Sequence, residues 1–222
     1  MERYKKGVMQ KIFSQKLRFK DENGNDFPDW EEKKLGEIGN TFNGLTGKTK
    51  EDFGEGKPYI QYKQIFDSSK IKIEKCDLVK IKSDEKQQQV MFGDIFFTVS
   101  SETPNEIGTA SVLLDDVQEM YLNSFCFGYR PNSLKTTIPT FLRYLFRSPI
   151  FRNDIVKLAQ GSTRYNMSKL GLLKLTVNIP HPNEQQKVAT FLSSIDEKLE
   201  KCQSQIKAME HWKKGLLQQM FC

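Results

Sequence analysis

Val188, Leu192, Ile195, Leu199, Cys202, Ile206, Met209, Leu216 and Met220 follow one another at alternating steps of four and three, with one missed beat at Lys213. A period of 3.5 residues sustained over successive heptads keeps one narrow apolar stripe facing a partner helix, so the spacing predicts a long coiled-coil helix over 183–221. The competing reading is a helix packed on its own domain, for which a broader apolar face is expected. Asn183 followed by Gln186 has the form of a capping box and predicts the helix start. At the other end of the chain, Tyr4, Val8 and Ile12 recur every four residues and read as the last turns of another helix.

Between these helices the period changes. Asp21–Asp29 combines turn formers with Pro28 and predicts a linker. From Trp30 to about Ile179, short β-rich runs (Tyr59–Tyr62, Ile71–Ile73, Asp94–Val99, Ala110–Leu114, Phe125–Tyr129) alternate with polar connections and one helical stretch near Thr140–Leu158. The fold class expected is α+β: one globular domain with a mixed β-sheet and loops over 30–179, preceded by the tail of a helix and a linker over 1–29. The long helix follows over 180–222.

One segment occurs twice. Lys5–Phe13 (KKGVMQKIF) reappears as Lys213–Phe221 (KKGLLQQMF), with five of nine positions identical and three others exchanging one apolar residue for another. The copies are 208 positions apart, so the repeating unit is nearly the whole chain. The repeat suggests one half of a two-unit protein, with an N-terminus that looks like a cut.

Composition narrows the class. A chain of 222 residues with 37% hydrophobic content can bury one sizeable core. The net charge of +6 favours a polyanion only weakly. Its distribution says more: 143–174 carries Arg143, Arg147, Arg152, Lys157, Arg164, Lys169 and Lys174 against Asp154 alone, whereas 102–119 carries acids and no base. A basic face is expected mid-chain, with Arg143, Arg147 and Arg152 touching phosphate or lining a solvated helix face. Cys76, Cys126, Cys202 and Cys222 have neither zinc nor disulfide spacing, which suggests a reducing compartment. Apolar runs such as Ile95–Phe97 are too short to cross a bilayer and no leader opens the chain, so a cytoplasmic protein without membrane contact is expected.

No catalytic motif accompanies this pattern. There is no GxGxxG turn, no Asn-Pro-Pro-aromatic run, no GxxxxGK[ST] loop and no histidine-based triad. His181 lies between prolines and His211 on the long helix, positions suited to structural roles. Glu102 and Glu106 could pair on a metal, but without a further ligand nearby recognition or solvation explains them better. Gly161-Ser162-Thr163-Arg164-Tyr165-Asn166 holds the chemistry of base reading. Glycine permits close approach, hydroxyls suit phosphate, Arg matches guanine O6 and N7, and Asn matches adenine N6 and N7. An ordinary surface loop remains the alternative. Tyr62-Lys63-Gln64 and Thr98-Val99-Ser100-Ser101-Glu102-Thr103 leave the ends of β-rich runs, where polar residues can reach base edges or simply be solvated.

Several segments together resemble the specificity subunit of bacterial type I restriction-modification systems. They are Gly56–Ile65 (GKPYIQYKQI), Gly93–Thr98 (GDIFFT), Ser100–Thr103 (SSET), Gln160–Met167 (QGSTRYNM), and Ile179-Pro180 leading into Glu184–Lys187 (EQQK). The resemblance spans nearly the whole chain and rests on order and spacing. It implies a half-subunit: one target-recognition domain that reads half of a bipartite double-stranded DNA site, plus one long helix that sets the spacing. It also implies no catalytic residue and no cofactor of its own. S-adenosylmethionine and ATP would belong to partner methyltransferase and restriction subunits. Read this way, Tyr62, Lys63, Gln64, Thr98, Ser100, Ser101, Glu102, Thr103 and Gly161–Asn166 are candidate DNA contacts. The apolar stripe would pair helices, in a homodimer when the chain is alone. A freestanding dimeric DNA-binding regulator is the second reading, and a nuclease with an unrecognised metal site the third.

Overall fold

The structure, a computed structural model, describes residues 2–220, the side chain of Met220 excepted. In chain order the elements begin with α1 (Glu2–Phe13), β1 (Glu31–Lys34), α2 (Leu35–Ile38), β2 (Gly39–Asn43), β3 (Phe53–Ile60), α3 (Tyr62–Asp67) and β4 (Asp77–Val79). They continue with β5 (Ile95–Thr98), β6 (Ser100–Ser101), β7 (Ala110–Val112), β8 (Tyr121–Leu122), β9 (Cys126–Pro131), α4 (Pro139–Leu145) and α5 (Pro149–Val156). Last come β10 (Tyr165–Asn166), α6 (Lys169–Lys174), β11 (Thr176–Ile179) and α7 (Pro182–Met220).

The sheets are small and mostly antiparallel. The central sheet is antiparallel in the order β2-β9-β5-β7, and a second runs β4-β3-β8 with β3 and β8 parallel. β1 pairs with β11, closing the globular span on itself. Every residue of β5 is buried, as expected of a continuous apolar run covered on both faces. In β9, Gly128 leaves room for the Phe42 ring, since a Cβ there would lie 2.0 Å from it.

Some local expectations need correction. Ile71–Ile73 forms no strand: Lys70 makes a single bridge to Val112, and Ile73 opens a 3₁₀ turn. Tyr62 does not end a strand but begins α3. The helical stretch near 140–158 is two helices. Ser148 caps α5 by accepting from the Phe151 amide at 3.3 Å, and Pro149, with no N–H and a fixed φ, starts the new helix while ending the old one.

α7 begins one residue before the predicted cap. Pro182 is its first residue, the His181 carbonyl accepts from the Gln185 amide (3.0 Å), and His181 Nδ1 accepts from the Asn183 amide (3.3 Å). Asn183 and Gln186 therefore form no capping box, because proline's preference for the first helical position fixes the start. The buried residues of this turn are Glu184 and Gln185. Glu184 accepts from Arg18 through both oxygens (3.2 and 2.9 Å) and from the Trp30 indole (3.1 Å). Gln185 accepts from the Ile138 amide and donates to the Thr136 and Pro180 carbonyls.

The seam divides in two. Val188, Leu192 and Ile195 are buried in the chain's own core beside Val8, Met9, Ile12 and Phe13 of α1, each such side chain contributing roughly 1.5–3 kcal/mol. Leu199 packs partly against the same core. From Cys202 onward the stripe is open to water, with Ile206 56% and Met209 71% exposed and Leu216 also exposed; Met220 has its side chain outside the described residues. So the expectation of one continuous coiled-coil seam is corrected for its first half, where the helix lies on its own domain. α1 runs antiparallel to α7: Lys5 pairs with Asp196 at one end, and past the other end Phe19 packs on Phe191 (5.5 Å) and Lys187 donates to the Lys20 carbonyl (2.7 Å). Val8 and Ile12 are buried as expected, Tyr4 is exposed, and Met9 and Phe13 complete the buried face of α1. The core is thus continuous across residues 29 and 180.

Candidate nucleic-acid interface

Three segments far apart in sequence meet on one face. β6 pairs antiparallel with β10, setting Ser101 against Tyr165 and Ser100 against Asn166. The Tyr62 hydroxyl, from the first turn of α3, donates to the Ser100 carbonyl at 2.6 Å. The loop before β10 is closed by reciprocal backbone bonds between Gln160 and Asn166 (3.0 and 2.8 Å), with Gly161–Arg164 at its tip. Gly161 adopts φ +127°, and a Cβ there would stand 2.2 Å from the Arg164 carbonyl, so only glycine closes this loop without strain. Buried Met167, whose amide donates to the Val99 carbonyl, anchors its base.

Between these segments lies a cavity of about 470 Å³, lined by Tyr62, Phe66, Ser100, Ser101, Glu102, Glu106, Phe125 and Arg164. The rings of Tyr62 and Phe66 are stacked, 6.5 Å apart at 12°, and burial raises the Tyr62 phenol above its ordinary pKa. Glu102, Thr103, Ser162, Thr163, Arg164 and Asn166 are exposed. Lys63 is also exposed and pairs with Asp67 at 2.7 Å. The surface therefore offers a cation, carboxylates, hydroxyls and an amide around an aromatic floor, the donor and acceptor types that match base edges and phosphate.

Other candidates are turned inward. Gln64 is buried, its amide donating to the Lys72 carbonyl (3.0 Å). Thr98 is fully buried and its hydroxyl accepts from the Thr109 amide (3.0 Å). The Ser101 hydroxyl donates to the Thr103 carbonyl (2.6 Å), holding the turn that presents Glu102. Ser100 takes part through its carbonyl.

The arginine row differs from expectation. Arg147 donates to the carbonyls of Ala110 (2.6 Å), Ile65 (2.7 Å), Ser68 (2.8 Å) and Phe66 (3.2 Å). Burial first, then the neighbouring charges of Arg152 and Arg143, pull its pKa down to about 10, so it stays charged at neutral pH. Arg152 donates to the carbonyls of Gly108, Asn105 and Ile107 (2.7–2.9 Å). Arg143 donates to the Ser69 hydroxyl and to Asp196 of α7. All three are half-buried and line a hollow of about 700 Å³. Their spacing shows a charged stripe, but the groups that hold it, carbonyls for Arg147 and Arg152 and Asp196 for Arg143, come from elements remote in sequence. Arg147 braces the backbone under α3 and Arg152 that under the 104–108 turn, behind the cavity.

Sequence reasoning missed Phe66 and Phe125. Phe125 precedes β9 rather than opening it and is 69% exposed. Its amide donates to Asn123 Oδ1 (2.8 Å), a turn signal legible in Asn123-Ser124. Beyond Phe125 a second hollow of about 330 Å³ runs to the Leu45–Lys50 loop, adding Lys48, Thr49 and Lys50. Among the described residues no group of three or more His, Cys, Asp or Glu could hold a metal ion, and no helix is long and apolar enough to cross a membrane.

The fold is thus a globular α+β unit whose polar loops gather on one face, with a helix projecting from it. Residues 28–209 match the family described as Type I restriction modification DNA specificity domain. This chain belongs to that family. It is 31% identical over 201 residues to a Methanocaldococcus jannaschii protein provisionally named the type I restriction enzyme MjaX specificity subunit (87% of this chain, 45% of that one). It is 26% identical over 186 residues to the MjaIX specificity subunit of the same organism (82% and 41%). The chain spans less than half the length of these relatives. Among solved structures, the S subunit of a type I restriction-modification system from M. genitalium shares the fold with a TM-score of 0.55 at 18% identity (85% of this chain, 43% of that one). The HsdS subunit from Thermoanaerobacter tengcongensis does so with 0.57 at 16% (88% and 44%).

Proposed function

We propose that this chain supplies DNA sequence specificity to a type I restriction-modification complex, reading one half of a bipartite double-stranded site. The observation that carries the proposal is the convergence of Tyr62–Phe66, Ser100–Glu106 and the Gly161–Asn166 loop on one exposed surface, within a chain matched to the specificity family over 28–209. Residues 30–179 act as the recognition region. Arg164, Asn166, Glu102, Thr103, Lys63, Ser162 and Thr163 make the contacts, while Gly161, Tyr62, Tyr165, Gln64, Thr98, Ser100 and Ser101 hold them in place.

The chain has no catalytic role in this reading. Methyltransferase subunits, and through them the restriction subunit, dock on it and carry the chemistry and its cofactors. α7 is the spacer: 39 residues at ~1.5 Å each give ~58 Å. Its open stripe from Cys202 to Leu216 pairs with a second copy in an antiparallel homodimer, so the complex reads two inverted half-sites with an unread gap. The test is co-expression with methyltransferase subunits followed by genome-wide mapping of methylated adenines. A gapped, inverted-repeat motif that appears only when both chains are present supports the proposal. A chain that binds its site fully without a partner and directs no methylation overturns it in favour of a freestanding regulator.

A further inference from the structure

α1 is a second copy of the tip of α7, and its packing shows what such a strip docks on. Glu2–Phe13 reads ERYKKGVMQKIF and 210–221 reads EHWKKGLLQQMF. The residues α1 buries, Val8, Met9, Ile12 and Phe13, correspond to Leu216, Leu217, Met220 and Phe221, all apolar. Exposed Tyr4 corresponds to exposed Trp212. Lys11, replaced by Gln219, sits where α1 faces water. Lys5, whose ammonium pairs with Asp196, corresponds to Lys213. The two strips match on the face that docks and differ where it does not matter.

The dock is formed by Val188, Leu192 and Ile195 with Phe141 and Tyr144 of α4. Phe13 lies 5.8 Å from the Phe141 ring, and the Lys5 ammonium 5.3 Å from that of Tyr144. The tip of α7 cannot reach its own dock, because Lys213 is ~25 Å along a continuous helix from Asp196 at ~1.5 Å per residue. A second copy of this chain presents the surface it fits.

We propose that the tip of α7, from Glu210 onward, docks on a second copy of this chain in the place of α1, so that two copies exchange tips and each releases its own α1. This deepens the homodimer reading above and rests on it. The register follows from α1. Lys213 beside Asp196 of the second copy pairs residues whose numbers sum to 409, which sets the two-fold axis between Ser204 and Gln205. That axis falls within the exposed stretch Cys202–Met209, and the second helix then covers Ile206 and Met209. Strip and stripe therefore point to a single geometry. α1 holds its dock with the advantage of a tether. The extra burial of Ile206 and Met209, available only between two copies, opposes that advantage and makes the exchange depend on concentration.

Hydrogen exchange by mass spectrometry on the full chain, run across a dilution series beside light scattering, tests this. As the mass doubles, α1 amides should lose protection by roughly tenfold or more while those of Val188–Leu199 keep theirs. A chain carrying Leu216→Asp and Leu217→Asp, both at exposed positions, should stay monomeric with α1 protected throughout. A dimer that forms with α1 protection unchanged overturns the exchange and leaves the homodimer standing. A double variant that dimerises like the parent shows that the tip is not the contact. A parent chain monomeric at every concentration overturns both.

Discussion

Arg147→Met distinguishes a brace from a phosphate contact at the most buried member of the basic row. The substitution keeps most of the aliphatic stem and removes a guanidinium that donates to four carbonyls, those of Ile65, Phe66, Ser68 and Ala110. Hydrogen bonds to a charged donor are worth ~1.5–3 kcal/mol each, but these share one donor group and the freed carbonyls can turn toward water. The variant also escapes the cost of desolvating the charge, a cost visible in the pKa lowered to about 10. The net loss should be ~1–3 kcal/mol, the cost of leaving buried carbonyls without their donor. Urea unfolding measures it as a lower midpoint at unchanged slope. Arg164→Ala, at an exposed loop tip, should change stability by no more than ~0.5 kcal/mol. A phosphate ligand behaves in the opposite way: its loss lowers the salt slope of DNA binding by ~0.9 and leaves the fold intact. If Arg147→Met cost less than ~1 kcal/mol while flattening that slope, the bracing role would be refuted.

Glu184→Ala removes the acceptor shared by Arg18 and the Trp30 indole and should destabilise by ~3 kcal/mol, discounted from the fully buried range because Arg18 is partly exposed; thermal or urea unfolding reads it, and Glu184→Gln should recover part of the loss. Thiol labelling at pH 8 should modify exposed Cys202 at once, whereas Cys126, buried with its thiol pushed up to about 12, should react only at the rate of unfolding; rapid labelling at Cys126 would contradict the core described here. Inserting four residues after Glu200, where α7 leaves the domain, adds about 6 Å of helix, close to two base-pair steps of ~3.4 Å. In an assembled complex the methylated half-sites should stay the same and only the gap between them lengthen, while an unchanged gap would show that something else sets the spacing.

The sequence carried the α+β class, the long helix and the segments that meet at the cavity, because each has a local signature. Polar residues left the ends of β-rich runs, Gly161 preceded a hydroxyl-rich tip, and the 3.5-residue stripe was unbroken but for Lys213. What covers a face was not legible. Val188 and Ile206 sit on the same stripe with the same spacing, yet one is buried in its own domain and the other is in water, because periodicity records a face and not its partner. Arg143, Arg147 and Arg152 read as a basic surface for a related reason: the carbonyls at 65–68 and 105–110 that hold Arg147 and Arg152, and the Asp196 carboxylate that holds Arg143, are brought there by tertiary folding. Phe125 escaped notice because an aromatic residue beside a β-rich run reads as strand until the Asn123 turn places it outside.

The central claim is that the converged loops choose the bases. Its most direct test co-expresses the chain with methyltransferase subunits and maps methylated adenines for the parent and for a chain carrying Arg164→Ala and Asn166→Ala, with co-purification showing that both assemble. The account predicts that the double variant loses or relaxes one or more specified bases of the half-site, at a cost of about 1–3 kcal/mol per bidentate contact, while the gap between half-sites stays fixed. A methylome in which the assembled variant keeps the parent motif and its extent of modification would contradict it.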